Sequence, residues 1–132
     1  MLRGFATSSF YADDLEAAER WYADLLGVEA YYHVPGYTEF RVGDYQHELG
    51  IIDAAYKPPA AASGPGGAVI FWHVDDVTVA YEKLLGLGAT KYEDIVHRPS
   101  GFITASVVDP FGNILGVMYN PHYVEVLEDR MK

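Results

Sequence analysis

Apolar side chains recur at helical spacing in two segments that lie 62 positions apart, counted from Leu15 to Val77. The i, i+3, i+7 spacing predicts two amphipathic helices. The apolar positions of the first segment are Leu15, Ala18, Tyr22, Leu25 and Leu26, and those of the second are Val77, Ala80, Tyr81, Leu84 and Leu87.

The residues that flank both helical patterns are typical helix ends. Asp13 can cap the first helix with Glu16 completing a capping box, and Asp75 is placed to cap the second. Gly27 and Gly88 then supply the stops, since glycine adopts the left-handed backbone that ends many helices.

Strand-like runs precede and follow each helix. They cover residues 5–11, 29–33, 38–42 and 48–53 in the first half, and 68–74, 90–96, 102–108 and 114–119 in the second. The predicted unit is therefore strand, helix, strand, strand, strand, used twice in one α+β domain. We expect modules at 3–55 and 68–119, a Pro- and Gly-rich linker at 56–67, and a tail at 120–132 that forms a short helix after Pro121.

Composition narrows the functional classes. The chain has 132 residues and no cysteine, which excludes thiolate nucleophiles, zinc fingers and redox dithiols. Its net charge of −10 disfavours nucleic acid and anionic lipid as partners. No apolar run is long enough for a membrane span, and no signal peptide is evident, so we expect a cytoplasmic protein. Eleven tyrosines among 19 aromatic residues are unusual for this length.

Three motifs carry a family resemblance. The segment from Ser9 to Tyr22, followed by Leu26-Gly27, resembles the opening of the vicinal oxygen chelate superfamily, which includes glyoxalases, bleomycin-resistance proteins and extradiol dioxygenases. The run Phe71-Trp72-His73-Val74-Asp75-Asp76-Val77 is similar to its second helix entry, and Asp109-Pro110-Phe111-Gly112-Asn113 is similar to its late turn. The resemblance implies two βαβββ modules whose curved mixed sheets surround a cup.

In the metalloenzymes of this superfamily, four side chains in the cup hold one divalent ion. The resemblance puts these four positions on Thr7, Glu48, Val69 and Gly116, of which only Glu48 is a metal ligand by type. We therefore expect no metal and no other cofactor. The alternative is one divalent ion in a lyase, isomerase or dioxygenase of the same superfamily.

Histidines offer two further alternatives. His73 is expected to point into the cup and to face Glu48, which could make a metal-free acid/base pair. His47 could join these two residues in a non-standard metal site, although strand alternation turns it to the opposite face from Glu48. We expect His33, His97 and His122 at the surface.

The leading hypothesis is a metal-independent, small-molecule-binding protein that forms a homodimer. Its ligand would be a cationic or aromatic organic molecule, because an acidic chain with aromatic walls attracts such compounds. No catalytic residue is assigned. The residues expected to line the cup are Thr7, Tyr37, Phe40, Glu48, Phe71, His73 and Met118.

Overall fold

The computed structural model describes residues 1–61 and 63–132, and Ala62 of the predicted linker lies outside them. The chain divides into two compact units, Met1–Ser63 and Gly64–Lys132. None of the described helices is long and apolar enough to cross a membrane.

In its described residues, the first unit has four strands, one α-helix and a short 3-10 turn. Its elements are β1 (Thr7–Ala12), α1 (Leu15–Leu26), β2 (Tyr32–Val34), β3 (Tyr37–Val42), β4 (His47–Asp53) and the 3-10 turn Ala54–Tyr56. The strand order is β1-β4-β3-β2, with β1 parallel to β4 and the other neighbours antiparallel.

The second unit repeats this topology. Its elements are β5 (Ile70–His73), α2 (Val77–Gly86), β6 (Thr90–His97), a 3-10 turn (Pro99–Gly101), β7 (Ile103–Val108), β8 (Ile114–Tyr119) and α3 (Pro121–Arg130). The strand order is β5-β8-β7-β6 with the same parallel and antiparallel pattern. The α+β fold of two βαβββ modules is thus confirmed, and the helix expected after Pro121 is present.

The helix caps lie one residue later than the sequence predicts. The side chain of Asp14, not Asp13, accepts from the Ala17 N–H at 3.1 Å, and Asp76, not Asp75, accepts from the Val79 N–H at 3.1 Å. Each cap precedes the first helical residue directly, which leaves the earlier Asp outside the helix. Gly27 ends α1 at φ 71° as predicted.

The helices bury one face of each sheet. In the first unit, Phe10 contacts the Tyr22 ring at 6.1 Å between centroids, and Phe40, Tyr22 and Leu49 are at most 2% exposed. Burying side chains of this size contributes about 1.5–3 kcal/mol each. In the second unit Ala105, Val107, Leu115 and Val117 are buried on one face of the sheet, and Ser106 and Ile114 are buried on the other.

Glu19 links α1 to the first sheet. Its Oε1 accepts from the hydroxyl of fully buried Thr38 at 2.5 Å and lies 2.8 Å from Nδ1 of His33. The Thr38 hydrogen bond lowers the pKa of Glu19, with His33 adding to the effect and desolvation opposing it. A carboxylate with a lowered pKa stabilises the fold above its ordinary pKa, and this stabilisation is lost as the pH falls through the folded-state value.

We therefore expect Glu19→Gln to flatten the acid side of the stability profile. The wild type should lose stability as the pH falls from the ordinary glutamate pKa of 4.5 downward, and the variant should lose less. Urea unfolding between pH 3 and 6 measures this difference, with exposed Glu16→Gln as the control on the same helix. Parallel profiles for the wild type and Glu19→Gln would contradict the prediction.

The Asp-Pro-Phe-Gly-Asn motif forms the tight turn between β7 and β8. Asp109 is 3% exposed, and its Oδ1 accepts from the backbone N–H groups of Phe111 at 2.9 Å and Asn113 at 2.8 Å. Gly112 takes φ 91°, a conformation that favours glycine. These hydrogen bonds explain why the motif forms a tight turn, and the turn sets the register of β8 against β7.

Candidate functional site

Strand alternation places a distinct set of side chains on the face of the first sheet opposite α1, which we call the first helix-distal face. Cross-strand pairing arranges them in three rows. The rows are Thr7, Glu48 and Arg41; Ser9, Gly50 and Glu39; and Tyr11, Ile52 and Tyr37.

Polar and charged side chains lie within 4 Å of one another on the first helix-distal face. The Tyr37 hydroxyl donates to Oε1 of Glu39 at 2.7 Å. Nη2 of Arg41 lies 3.4 Å from Oε1 of Glu48, and its Nε lies 3.9 Å from Oε2 of Glu39. The Arg41 guanidinium also stacks over the Tyr31 ring at 4.2 Å from the centroid. The face therefore carries two carboxylates, one guanidinium and aromatic surface, and the Lys57 ammonium lies 5.6 Å from the centroid of the Tyr11 ring.

Tyr37 is held as a neutral phenol. Burial raises its pKa to about 12, and the hydrogen bond and negative charge of Glu39 add to the shift. At neutral pH its hydroxyl is therefore a hydrogen-bond donor and not a proton acceptor. Its ring lies over Gly50, where an added Cβ would be 2.6 Å from the hydroxyl oxygen.

Three of the predicted cup residues, Thr7, Tyr37 and Glu48, share the first helix-distal face. Phe40 does not, because it pairs with Leu49 on the helix side and is 0% exposed. Its inclusion was wrong for a simple reason: an odd number of residues separates opposite faces of a strand, and Tyr37 and Phe40 are three apart. Phe40 is a core residue.

Glu39 and Arg41 were missed by the sequence reasoning. The signal was present, since both residues alternate with buried Thr38, Phe40 and Val42 along β3. The same alternation that exposes Tyr37 on the helix-distal side places Glu39 and Arg41 beside it. His47 lies on the other face from Glu48, as predicted.

Phe71, His73 and Met118 share one face of the second sheet, opposite the face that carries Val107, Leu115 and Val117. His73 pairs with Met118, and Phe71 pairs with Gly116. The Phe71 ring covers Gly116, where an added Cβ would be 2.6 Å from Cδ1 of the ring. Phe71 itself is 41% exposed.

The contacts of His73 favour a structural role. Its Nδ1 accepts from the backbone N–H of Asn120 at 3.1 Å, so this nitrogen is already engaged. The ring stacks on Tyr123 of α3 at 4.5 Å and 13°, and its Nε2 is 3.8 Å from Asp75. Glu48 has Arg41 as its ion-pair partner. Each member of the expected acid/base pair thus has another partner within its own unit.

The metal-ligand positions implied by the resemblance do not fit a divalent ion. Thr7 offers a hydroxyl that donates to the Glu48 carbonyl at 3.4 Å, and Val69 offers no donor atom. Gly116 has no side chain, and the Phe71 ring fills the space beside it. Among residues 1–61 and 63–132, no group of three or more His, Asp or Glu side chains is arranged to hold a metal ion.

Comparison with known proteins identifies the class. The model of the Glyoxalase/Bleomycin resistance protein/Dioxygenase superfamily matches residues 4–117, and the chain therefore belongs to this superfamily. Comparison with curated protein sequences gives no significant match.

Solved structures share the fold. A glyoxalase-related enzyme from Fulvimarina pelagi is 23% identical, with a TM-score of 0.73 over 91% of this chain and 90% of that one. Lactoylglutathione lyase from Agrobacterium tumefaciens is 26% identical, with a TM-score of 0.69 and coverage of 90% and 95%. A bleomycin resistance determinant encoded on the transposon Tn5 is 18% identical, with a TM-score of 0.64 and coverage of 89% and 98%.

Proposed function

We propose that this protein binds a cationic aromatic small molecule on the first helix-distal face and does so without a metal ion. The observation that carries the proposal is the pair of carboxylates, Glu39 and Glu48, set beside aromatic rings on one sheet face. A positively charged aromatic ligand can pair with the carboxylates and stack on the rings. The net charge of −10 attracts such a ligand over longer range.

Burial strengthens the electrostatic part of this proposal. The Glu39 side chain is 14% exposed and that of Glu48 is 35% exposed, so water screens their charges less than it would on a free surface. Within the group formed by Glu39, Glu48 and Arg41, one guanidinium stands against two carboxylates. The Lys57 ammonium lies further along the same face, 5.6 Å from the centroid of the Tyr11 ring. Tyr37 stays neutral and adds no further charge at physiological pH.

A metal-dependent lyase, isomerase or dioxygenase is the less favoured reading. Such chemistry requires several donors around one ion. Of the four implied positions, Glu48 alone has a carboxylate, and it is paired with Arg41. The likeness to lactoylglutathione lyase therefore supports a shared fold and does not by itself extend that enzyme's activity to this chain.

The proposal predicts charge selectivity between ligands of the same shape. N-methylquinolinium should raise the melting temperature more than neutral quinoline at equal concentration and pH 7.5, because only the former offers a permanent positive charge. In Glu39→Gln/Glu48→Gln, calorimetry should give an affinity for the cation at least about tenfold weaker.

The control variant for this experiment is Glu82→Gln/Glu128→Gln, which removes the same charge from exposed helix positions. It should bind the cation as the wild type does, apart from a small general effect of net charge. Equal stabilisation by quinoline and N-methylquinolinium in the wild type would refute the proposed function.

A further inference from the structure

The half-buried guanidinium of Arg41 lies near two carboxylates, but its contacts with them are long. Its Nη2 is 3.4 Å from Glu48, and its Nε is 3.9 Å from Glu39, too far for a hydrogen bond. Within residues 1–61 and 63–132, the buried Nε atom has no hydrogen-bond partner. A guanidinium that pairs strongly with a carboxylate forms two parallel bonds of about 2.7–2.9 Å.

The carboxylates are not matched to Arg41 alone. Glu39 already accepts a hydrogen bond from Tyr37 at 2.7 Å, and its other oxygen faces Arg41 only at ion-pair distance. The Arg41 guanidinium lies within 4 Å of both Glu39 and Glu48, and its Cζ lies 4.2 Å from the centroid of the Tyr31 ring. This arrangement places a cation belonging to the chain where a cationic ligand would gain most from the two acids.

We propose that Arg41 is an internal counter-cation that competes with the ligand for Glu39 and Glu48 and so determines the affinity and charge selectivity of the site. The inference rests on the proposed function. When the ligand binds, its positive group pairs with the carboxylates and the guanidinium moves outward, exchanging loose ion pairs for water. Because Arg41 is 35% exposed, this movement requires no opening of the core.

The direction in which one substitution changes the affinity for N-methylquinolinium distinguishes this role from a direct ligand contact. If Arg41 competes with the cation, Arg41→Gln removes the competitor and should tighten N-methylquinolinium binding about three- to tenfold. If Arg41 instead contacts the ligand or only supports the face, the same substitution should weaken binding. Arg41→Lys retains the charge and should bind within about twofold of the wild type.

The matched control is Arg20→Gln, which removes one positive charge from an exposed position on α1. It changes the net charge as Arg41→Gln does, and it should leave the affinity close to that of the wild type. Tightening of the same size in Arg20→Gln would assign the effect to net charge and overturn the inference.

A measurement on the wild type does not depend on any variant folding. Saturation with N-methylquinolinium should shift the NMR cross-peak of the Arg41 Nε–H group, while those of Arg3 and Arg20 stay in place. An unmoved Arg41 signal in the bound protein would overturn the inference.

The outcomes distinguish the inference from the function on which it rests. Binding by the wild type with equal or weaker binding by Arg41→Gln overturns the competitor role and leaves the proposed function standing. Binding by Arg41→Gln alone would show that Arg41 excludes the probe from the wild-type face, which refutes the proposed function and supports only the competition between Arg41 and the probe. Binding by neither protein overturns both.

Discussion

Phe40→Ala should lower the free energy of unfolding by about 3–5 kcal/mol, the largest single effect that we expect in this chain. The Phe40 side chain is 0% exposed and lies on the helix-covered face between β3 and β4, so its removal leaves a cavity that the surrounding side chains cannot refill. Urea unfolding at neutral pH measures the loss.

The comparison for this variant is Phe71→Ala, in which the same residue type is lost from a 41% exposed position. That change should cost less than about 2 kcal/mol, because only part of the ring is removed from water. If the two variants lost equal stability, Phe40 could not be the core residue that its burial indicates.

Gly116→Ala should destabilise the second unit by about 1–3 kcal/mol. The added methyl group would lie 2.6 Å from Cδ1 and 2.9 Å from Cγ of Phe71, so the whole ring must move, not only its edge. In Gly116→Ala/Phe71→Ala the clash is absent, and the double variant should lose less stability than the sum of the two single variants.

Gly86→Ala is the matched control for Gly116→Ala. A Cβ at Gly86 meets nothing within 4 Å, and Gly86 lies in α2, where alanine is the better helix former. This control should gain up to about 1 kcal/mol. Additive losses in the double variant would contradict the prediction, because they would show that Phe71 does not fill the space beside residue 116. A carboxylate side chain could then fit at that position.

Sequence patterns predict most of the fold because each module buries one face. Strand β8 begins and ends at the residues expected, since a tight turn precedes the apolar run and the Asn120-Pro121 start of α3 follows it. Strand β2 is shorter than predicted, because the aromatic run from Tyr31 does not report how far pairing with β3 extends. The capping residues were wrong by one position because two adjacent aspartates can each cap a helix.

The candidate site was harder to predict because it depends on contacts between distant residues. Thr7 and Glu48 could be assigned to one face only through the ligand positions that the family resemblance implies. Two partners of His73 are distant in sequence, since Asn120, which caps α3, lies 47 residues further along the chain and Tyr123 lies within α3. No local sequence pattern indicates these contacts. The sequence only weakly indicates that rings lie over Gly50 and Gly116. The indication is the glycine itself, since a glycine inside a strand often marks the close approach of another group.

The cross-strand pairing also gives the central residues of the first sheet counterparts in the second, with Ser9–Gly50 matching Phe71–Gly116. On the helix-covered faces the counterparts stay mostly apolar, as in Phe40 and Val107 or Leu49 and Leu115. On the opposite faces Glu48 corresponds to Ile114 and Arg41 to Val108. Gly50 and Gly116 occupy the same position in the two sheets, and both are glycine.

Alternate residues along a strand of this fold therefore form two sets, one on each face of the sheet. One set forms the buried face and tolerates little change. The other forms the opposite face, where the first sheet has charged residues at positions at which the second sheet has apolar ones. Substitutions at positions 39 and 41 would therefore change the charge of the first helix-distal face. The duplicated module thus offers two independently adjustable surfaces within 132 residues.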